Sequence, residues 1–333
     1  MKAWTDCLAT QSHAPLQESN GLCALDDHGL LYVGGDDATE FLQNQLSNDI
    51  TRIGTGRSQL SAFSNAKGRM IGLFRVIPIE GGYLLLMPRS MIASVQEKLQ
   101  RFVLLSKVIL ADISNDFALI SVTLDAQDAV PGPDWPQDID AVHQTDTLIS
   151  VRLPAAEGRR RWLLLSTDTA EAIALWRRLA NEFAVNGPEH WRLQNIDAGI
   201  PTLYPETSEA FVLQMANLQL IDGVSFKKGC YPGQEVVARM QYLGKLKRRM
   251  YRAEIDSVRA PAPGDELTAR DAESSDGSGK VVDAVSLPNG GSRMLFIARI
   301  DRAESGDLKL VEQPATEIRL LPLPYAFEDN AEA

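Results

Sequence analysis

The strongest constraint on the fold is a run of strand, glycine turn, strand and amphipathic helix around residue 80, a pattern that returns in looser form after residue 117. Residues 70–79 and 83–87 are rich in aliphatic and β-branched side chains and flank Glu80-Gly81-Gly82, which reads as a hairpin. Ser90 then caps a segment in which Ile92, Val95, Leu99, Phe102 and Val103 recur at helical spacing, so one face of 91–105 is expected on that sheet. Upstream, Asp37 and Glu40 have capping-box spacing ahead of Phe41, Leu42 and Leu46, which predicts a short helix over 38–46. Further on, 117–124 and 161–165 read as strands, and Asp168 with Glu171 starts a helix carrying Ala172, Trp176, Leu179 and Phe183. Strands followed by sheet-packing helices imply an α+β core.

Residues 125–147 collect Asp, Gln, Pro and Gly and are expected to form a surface loop. After Arg249 the texture changes. Short β-rich runs at 250–255, 280–287, 293–300 and 316–321 are separated by Gly-, Asp- and Ser-rich turns, which indicates a small antiparallel β-barrel or sandwich at the C-terminus.

Bulk properties restrict the function. A chain of 333 residues with 44% hydrophobic and 23% charged residues is that of a folded, multi-domain protein. Its net charge of −11 repels nucleic acid and anionic membranes at long range, so an anionic partner has to be met locally. The apolar runs at 83–87 and 162–165 fall far below the roughly 18 residues of a membrane span. The first 20 residues show neither a secretory nor a transit pattern, and a cytoplasmic monomer is the expectation. Cys7, Cys23 and Cys230 are too few and too scattered for a disulfide framework or a four-ligand cluster, and the four histidines show no zinc spacing.

Chemistry concentrates in one segment. Between residues 227 and 249 seven basic side chains (Lys227, Lys228, Arg239, Lys245, Lys247, Arg248, Arg249) meet one acid, Glu235. Gly229 and Gly233 bracket Cys230-Tyr231-Pro232, and 234–240 has helix-forming composition, so Cys230 is expected on a tight turn near a helix N-terminus. There the helix dipole, Lys227 and Lys228 would favour thiolate. Cys7 and Cys23 have no such surroundings and read as small hydrophobes.

The octapeptide Lys228-Gly229-Cys230-Tyr231-Pro232-Gly233-Gln234-Glu235 resembles the signature of the YgfZ family of folate-binding proteins. Ala216-Asn217-Leu218-Gln219 and Gly223-Val224-Ser225-Phe226-Lys227 resemble the family's run into that signature. Similarity extends to the segment from Trp191 to Pro201, to Asn65-Ala66-Lys67-Gly68-Arg69-Met70 and to Asn48-Asp49, and so spans nearly the whole chain.

The resemblance implies the fold of the glycine-cleavage T-protein: a folate-binding α+β body over 20–245, made of two subdomains, and a C-terminal antiparallel β-barrel over 246–325. It also implies a tetrahydrofolate-type cofactor, iron–sulfur client or carrier proteins as partners, and through them an effect on tRNA modification. By the same resemblance Cys230 is the functional thiol, Trp191 packs on the folate, Asp197 accepts hydrogen bonds from the pterin, His28 stands where relatives carry a second folate tryptophan, and Asn65 belongs to the cofactor site. The T-protein's catalytic Asp-Asp pair aligns with Gly72 and Leu73, which cannot act as acids or bases, so the aminomethyltransferase reading is set aside. Direct tRNA binding by the 227–249 basic run is the alternative from a different class.

Overall fold

Among the described residues, backbone pairing gathers the strands into three sheets, and a helix packs between the second and third. The computed structural model describes residues 2–327 apart from Gln17, Ser19, Pro133, Glu273 and Ser274.

The first sheet runs in the order Gln59–Ser64, Met70–Ile79, Gly82–Pro88, His28–Gly34, Ile109–Asp112, all antiparallel. The expected hairpin is at its centre, with Ile79 opposite Gly82 and Gly81 at φ 79, a left-handed conformation that glycine adopts without steric cost. Helix Arg89–Gln100 buries Met91, Ile92, Val95 and Leu99 on this sheet. It stops at Gln100 instead of running to 105. Phe102 and Val103 turn back on the carbonyls three residues earlier and Leu104 is left-handed at φ 42, so Val103 alone of this tail reaches the core and Phe102 stays 44% exposed. Helix Ala38–Gln45 forms without its expected capping box, because the Asp37 carboxylate accepts from the backbone N–H of Lys107 at 2.7 Å.

The second sheet has the order Val185–Asn186, Gly21–Ala24, Ala118–Asp125, Arg159–Ser166, Leu148–Leu153, Val142–Gln144, with one parallel pairing at its first edge. Asp168 caps helix Thr169–Ala180 as its position implies, accepting from the N–H groups of Ala170 and Glu171. The 125–147 stretch is more than a surface loop. It contributes strand Val142–Gln144, and Trp135 is buried with its ring 5.6 Å from that of Trp162, whose indole N–H donates to the Pro136 carbonyl. An indole placed in a Pro- and Gly-rich segment gains enough by covering apolar surface to fasten the segment down.

The third sheet comprises Lys309–Leu310, Glu266–Thr268, Gly279–Ser286, Ser292–Arg299, Arg248–Ile255 and Ile318–Leu321 in that order, an antiparallel half-barrel with one short helix, Ile300–Glu304. It shares a core with the body: Leu60, Leu73, Leu193 and Ile196 pack with Met250, Val282 and Leu295.

Helix Pro188–Asp197 lies at this junction and packs on strands of both the second and third sheets. Proline at its first position loses no hydrogen bond. From His190 to Asp197 every residue but Arg192 is buried, so its polar side chains need partners inside the protein. Arg192 finds Asp283, at 3.0 Å from Nε and 2.5 Å from Nη2, and Tyr204 donates to the other oxygen of that carboxylate at 3.1 Å. Among the described residues no helix is long and apolar enough to cross a membrane.

Candidate functional site

The junction helix faces the first two sheets across a cleft. Trp191 and Asn195, one helical turn apart, supply one wall. His28, Arg75, Arg161 and Thr202 add polar groups, and Leu60, Leu73, Leu86 and Leu153 make the remainder apolar.

Trp191 is fixed on two sides. Its indole N–H donates to His28 Nε2 at 3.1 Å, and the two rings meet edge to face with centroids 5.5 Å apart. The Arg161 guanidinium carbon lies 4.7 Å from the indole centroid, a cation–π contact. Arg161 is fully buried and donates to Asn195 Oδ1 at 3.0 Å, while its Nε has no partner. Burial, reinforced by the nearby positive charges of Arg75 and Arg152, pushes this guanidinium well below the usual arginine range. Arg75 is neutralised by Asp140 at 2.5 Å, but among the described residues no carboxylate is within ion-pair distance of Arg161. The cleft therefore combines apolar walls, an aromatic ring and an uncompensated buried cation, which suits a flat ligand carrying acceptor oxygens or negative charge.

The other residues singled out in the sequence are distributed differently. Asp197 does not line the cleft. Its carboxylate faces the half-barrel, accepting from Arg293 Nη1 at 3.0 and 3.1 Å and lying 3.4 Å from Arg252 Nη1. Asn65 is also outside the cleft and organises a turn, its Oδ1 accepting from the N–H groups of Lys67 and Arg69 while its Nδ2 donates to Glu209. Leu73 lines the cleft, and Gly72 sits so close to Val95 that a Cβ there would stand 2.8 Å from a Val95 methyl.

The cysteine motif forms a separate surface. Cys230 is exposed and unpaired, ahead of helix Gln234–Tyr242. Gly233, the residue before that helix, has φ 81, and a Cβ on it would stand 2.5 Å from the Asn65 carbonyl oxygen and 2.6 Å from Gly68 Cα. Only glycine allows the motif to seat on the Asn65–Gly68 turn this closely. Gly229 has no such neighbour. Tyr231 is buried, Glu235 is exposed 3.9 Å from Arg239, and the Gln234 amide reaches the Lys228 and Gly229 carbonyls at 3.5 and 3.4 Å.

Lys228 departs from expectation. Its ammonium turns inward, away from a role beside the thiol, and donates to the carbonyls of Gln43 and Leu46 at 2.5 Å and of Asn48 at 3.2 Å, 5.2 Å from the Tyr231 ring centroid. These carbonyls include unsatisfied ones at the C-terminus of helix Ala38–Gln45, the end of a helix that attracts cations. Burial pushes the Lys228 ammonium down to about 8, partly opposed by Asp49. Lys227 alone of the pair remains exposed.

Sequence reasoning missed Arg161 and Asn195. The available signals were a basic residue inside the otherwise apolar strand Arg159–Ser166 and the four-residue spacing of Asn195 from Trp191 on one helix face.

The fold is of the glycine-cleavage T-protein architecture. The solved aminomethyltransferase T of the glycine cleavage system from Bartonella henselae superposes with a TM-score of 0.68, covering 97% of this chain and 89% of that one at 14% identity. No family model matches the chain. It is 32% identical over 332 residues to the tRNA-modifying protein YgfZ of Yersinia enterocolitica, covering 97% of this chain and 96% of that protein. It is likewise 32% identical to the protein of the same name from Sodalis glossinidius, with 95% of each covered. The chain belongs to the YgfZ family.

Proposed function

We propose that this chain supports tRNA modification, as the name of its relatives implies for them, and that it does so as a folate-binding factor maintaining iron–sulfur clusters in client enzymes. The observation that carries the folate reading is the Trp191 cleft. A tetrahydrofolate ring system fits an apolar slot with an indole wall, and its carbonyl or carboxylate oxygens would meet the uncompensated Arg161 and the Asn195 amide. His28 holds the indole in place rather than replacing a stacking ring. Cys230, on the separate motif surface, is the exposed thiol that meets a client's cluster or a cluster carrier.

Titration of tetrahydrofolate into the protein, followed by tryptophan fluorescence and calorimetry, tests the reading. Quenching in the wild type and its loss in Trp191→Ala and Arg161→Gln, with folding checked by circular dichroism, is the expected result. Unchanged binding in both variants would remove folate from this cleft.

A second reading rests on the exposure of Lys227, Arg239, Lys245 and Lys247 beside exposed Tyr242 and Leu243, a basic surface with an aromatic that could grip RNA directly. Binding of tRNA that persists near physiological salt and disappears when Lys245 and Lys247 are reversed to Glu would favour it over the folate factor.

A further inference from the structure

A second pocket lies beneath helix Gln234–Tyr242, between that helix and the start of strand Arg248–Ile255, and it shares no residue with the Trp191 cleft. Gln214, Asn217, Gln219, Gln241 and Arg249 contribute its polar lining, and Leu220, Met240, Leu246 and Phe327 its apolar lining. Four of these five polar side chains carry a buried atom with no hydrogen-bond partner: Gln214 Oε1, Asn217 Oδ1, Gln219 Oε1 and Arg249 Nε.

The orientation of two of these amides is fixed. Gln214 Nε2 donates to the Val237 carbonyl at 2.6 Å and Asn217 Nδ2 to the Met250 carbonyl at 2.9 Å. A flipped amide would set oxygen against oxygen, so in both residues the oxygen is the free atom. Gln214 is 3% exposed and Asn217 1% exposed, so these acceptors are inside the protein, where an orphaned polar atom is uncommon. Arg249 supplies a donor to the same pocket while its guanidinium carbon lies 4.3 Å from the Phe327 ring centroid.

We propose that this pocket binds the 2-amino-4-oxopyrimidine edge of a flat heterocycle, the edge shared by guanine and pterins. That edge presents an amino group and a ring N–H as adjacent donors and a carbonyl as acceptor. The donors match the amide oxygens of Gln214, Asn217 and Gln219, and the carbonyl matches the N–H of Arg249. Met240 and the two leucines offer contact to the ring faces. Adenine, whose corresponding edge has a single amino donor beside an acceptor nitrogen, leaves one buried oxygen unpaired. Because the Gln214 amide is bonded to Val237 in the motif helix, an occupied pocket would brace the helix that follows Cys230. The inference does not depend on folate occupying the Trp191 cleft.

Calorimetric titration of the full chain with guanosine, 6-methyltetrahydropterin and adenosine tests the proposal. Guanosine or the tetrahydropterin should bind, adenosine about tenfold or more weakly, and Gln214→Met should weaken the preferred ligand by about tenfold. Gln219→Met, at a partly exposed position that does not threaten folding, should weaken it in the same direction. Trp191→Ala, in the other cleft, should leave this binding unchanged. Preference for guanosine identifies a nucleobase as the source of the edge, and preference for the tetrahydropterin a reduced pterin. The proposal is overturned if neither ligand binds, if adenosine binds equally well, if both glutamine variants bind as the wild type does, or if Trp191→Ala removes the signal.

Discussion

The indole N–H of Trp191 donates to Nε2 of His28 at 3.1 Å, and Nδ1 of the same imidazole lies 2.6 Å from Asp27 Oδ1. An indole nitrogen only donates, so His28 Nε2 carries its lone pair and the ring proton is on Nδ1, directed at Asp27. The tautomer of a buried histidine thereby sets the orientation of the cleft's aromatic wall. His28→Ala leaves the indole N–H without an acceptor and should cost about 1–3 kcal/mol in urea unfolding, with His28→Gln, which keeps an acceptor oxygen, recovering part of the loss. Equal stability of His28→Ala and wild type would show that this bond does not hold Trp191.

The three thiols should react in order of access. Cys230 is exposed, Cys7 is half-buried, and Cys23 is fully buried with its thiol pushed far up by desolvation. A thiol-specific chromogenic reagent should modify Cys230 first and Cys23 only as the protein unfolds. Cys230→Ser should remove the fast phase without altering stability, and in cells it should abolish support of cluster-dependent enzymes. Full support by Cys230→Ser would show that the exposed thiol has no part in function.

Two glycines in the motif make a paired test. Gly233→Ala forces a Cβ into the Asn65 carbonyl at positive φ and should cost about 1–3 kcal/mol, while displacing the Cys230 turn. Gly229→Ala meets open space and should stay within about 0.5 kcal/mol of wild type. Similar unfolding midpoints for the two variants would contradict the close seating of the motif on the Asn65–Gly68 turn.

These positions also show what the sequence discloses. The hairpin around Gly81 and the Asp168 cap were legible because each depends on neighbours within a few residues. Trp191 could be singled out by its motif. What Asp197 and Lys228 do could not be read, because Asp197 meets Arg293 on a distant strand of the half-barrel and Lys228 meets carbonyls on a helix near the other end of the body. Phe102 looked like a core position from its spacing, yet the α-helix ends at Gln100, two residues before it, and the ring stays partly exposed. Periodicity records which residues would share a face if a helix continued, and tertiary packing decides whether it does.

Lys228 gives a pH dependence of definite sign. Burial holds its folded-state value at about 8, below the about 10.4 of an unfolded lysine, so between these values the unfolded chain binds the extra proton. Stability contributed by this group therefore rises as pH climbs from about 8 towards about 10.4. Lys228→Met lacks this term and leaves three carbonyls without their donor, whereas Lys227→Met, at an exposed position, should be close to neutral. Guanidinium unfolding at pH 7, 8, 9 and 10 should show the wild type gaining on Lys228→Met through that window. A gap that is constant or closes would rule out a depressed Lys228.

Asp197 separates a structural from a ligand role. Burial pushes its carboxylate up, while Arg293 and Arg252 pull it down, and Arg293 is also paired with Glu254 at 2.7 Å and Glu18 at 2.9 Å. Because Arg293 keeps two other acids, and Arg252 loses its carboxylate partner but keeps the Asp197 main-chain carbonyl at 2.9 Å, the expected cost of Asp197→Asn is about 1–3 kcal/mol instead of the about 3–5 kcal/mol of a broken isolated pair. If the carboxylate serves to dock the half-barrel on the junction helix, the variant should be more readily cleaved by protease between body and half-barrel while binding tetrahydrofolate as the wild type does. If it is a pterin contact, as the family resemblance implies, tetrahydrofolate affinity should fall by about tenfold or more with the unfolding midpoint little changed. Measuring both quantities on one variant assigns the residue, and the position of its carboxylate between two arginines of the half-barrel predicts the first outcome.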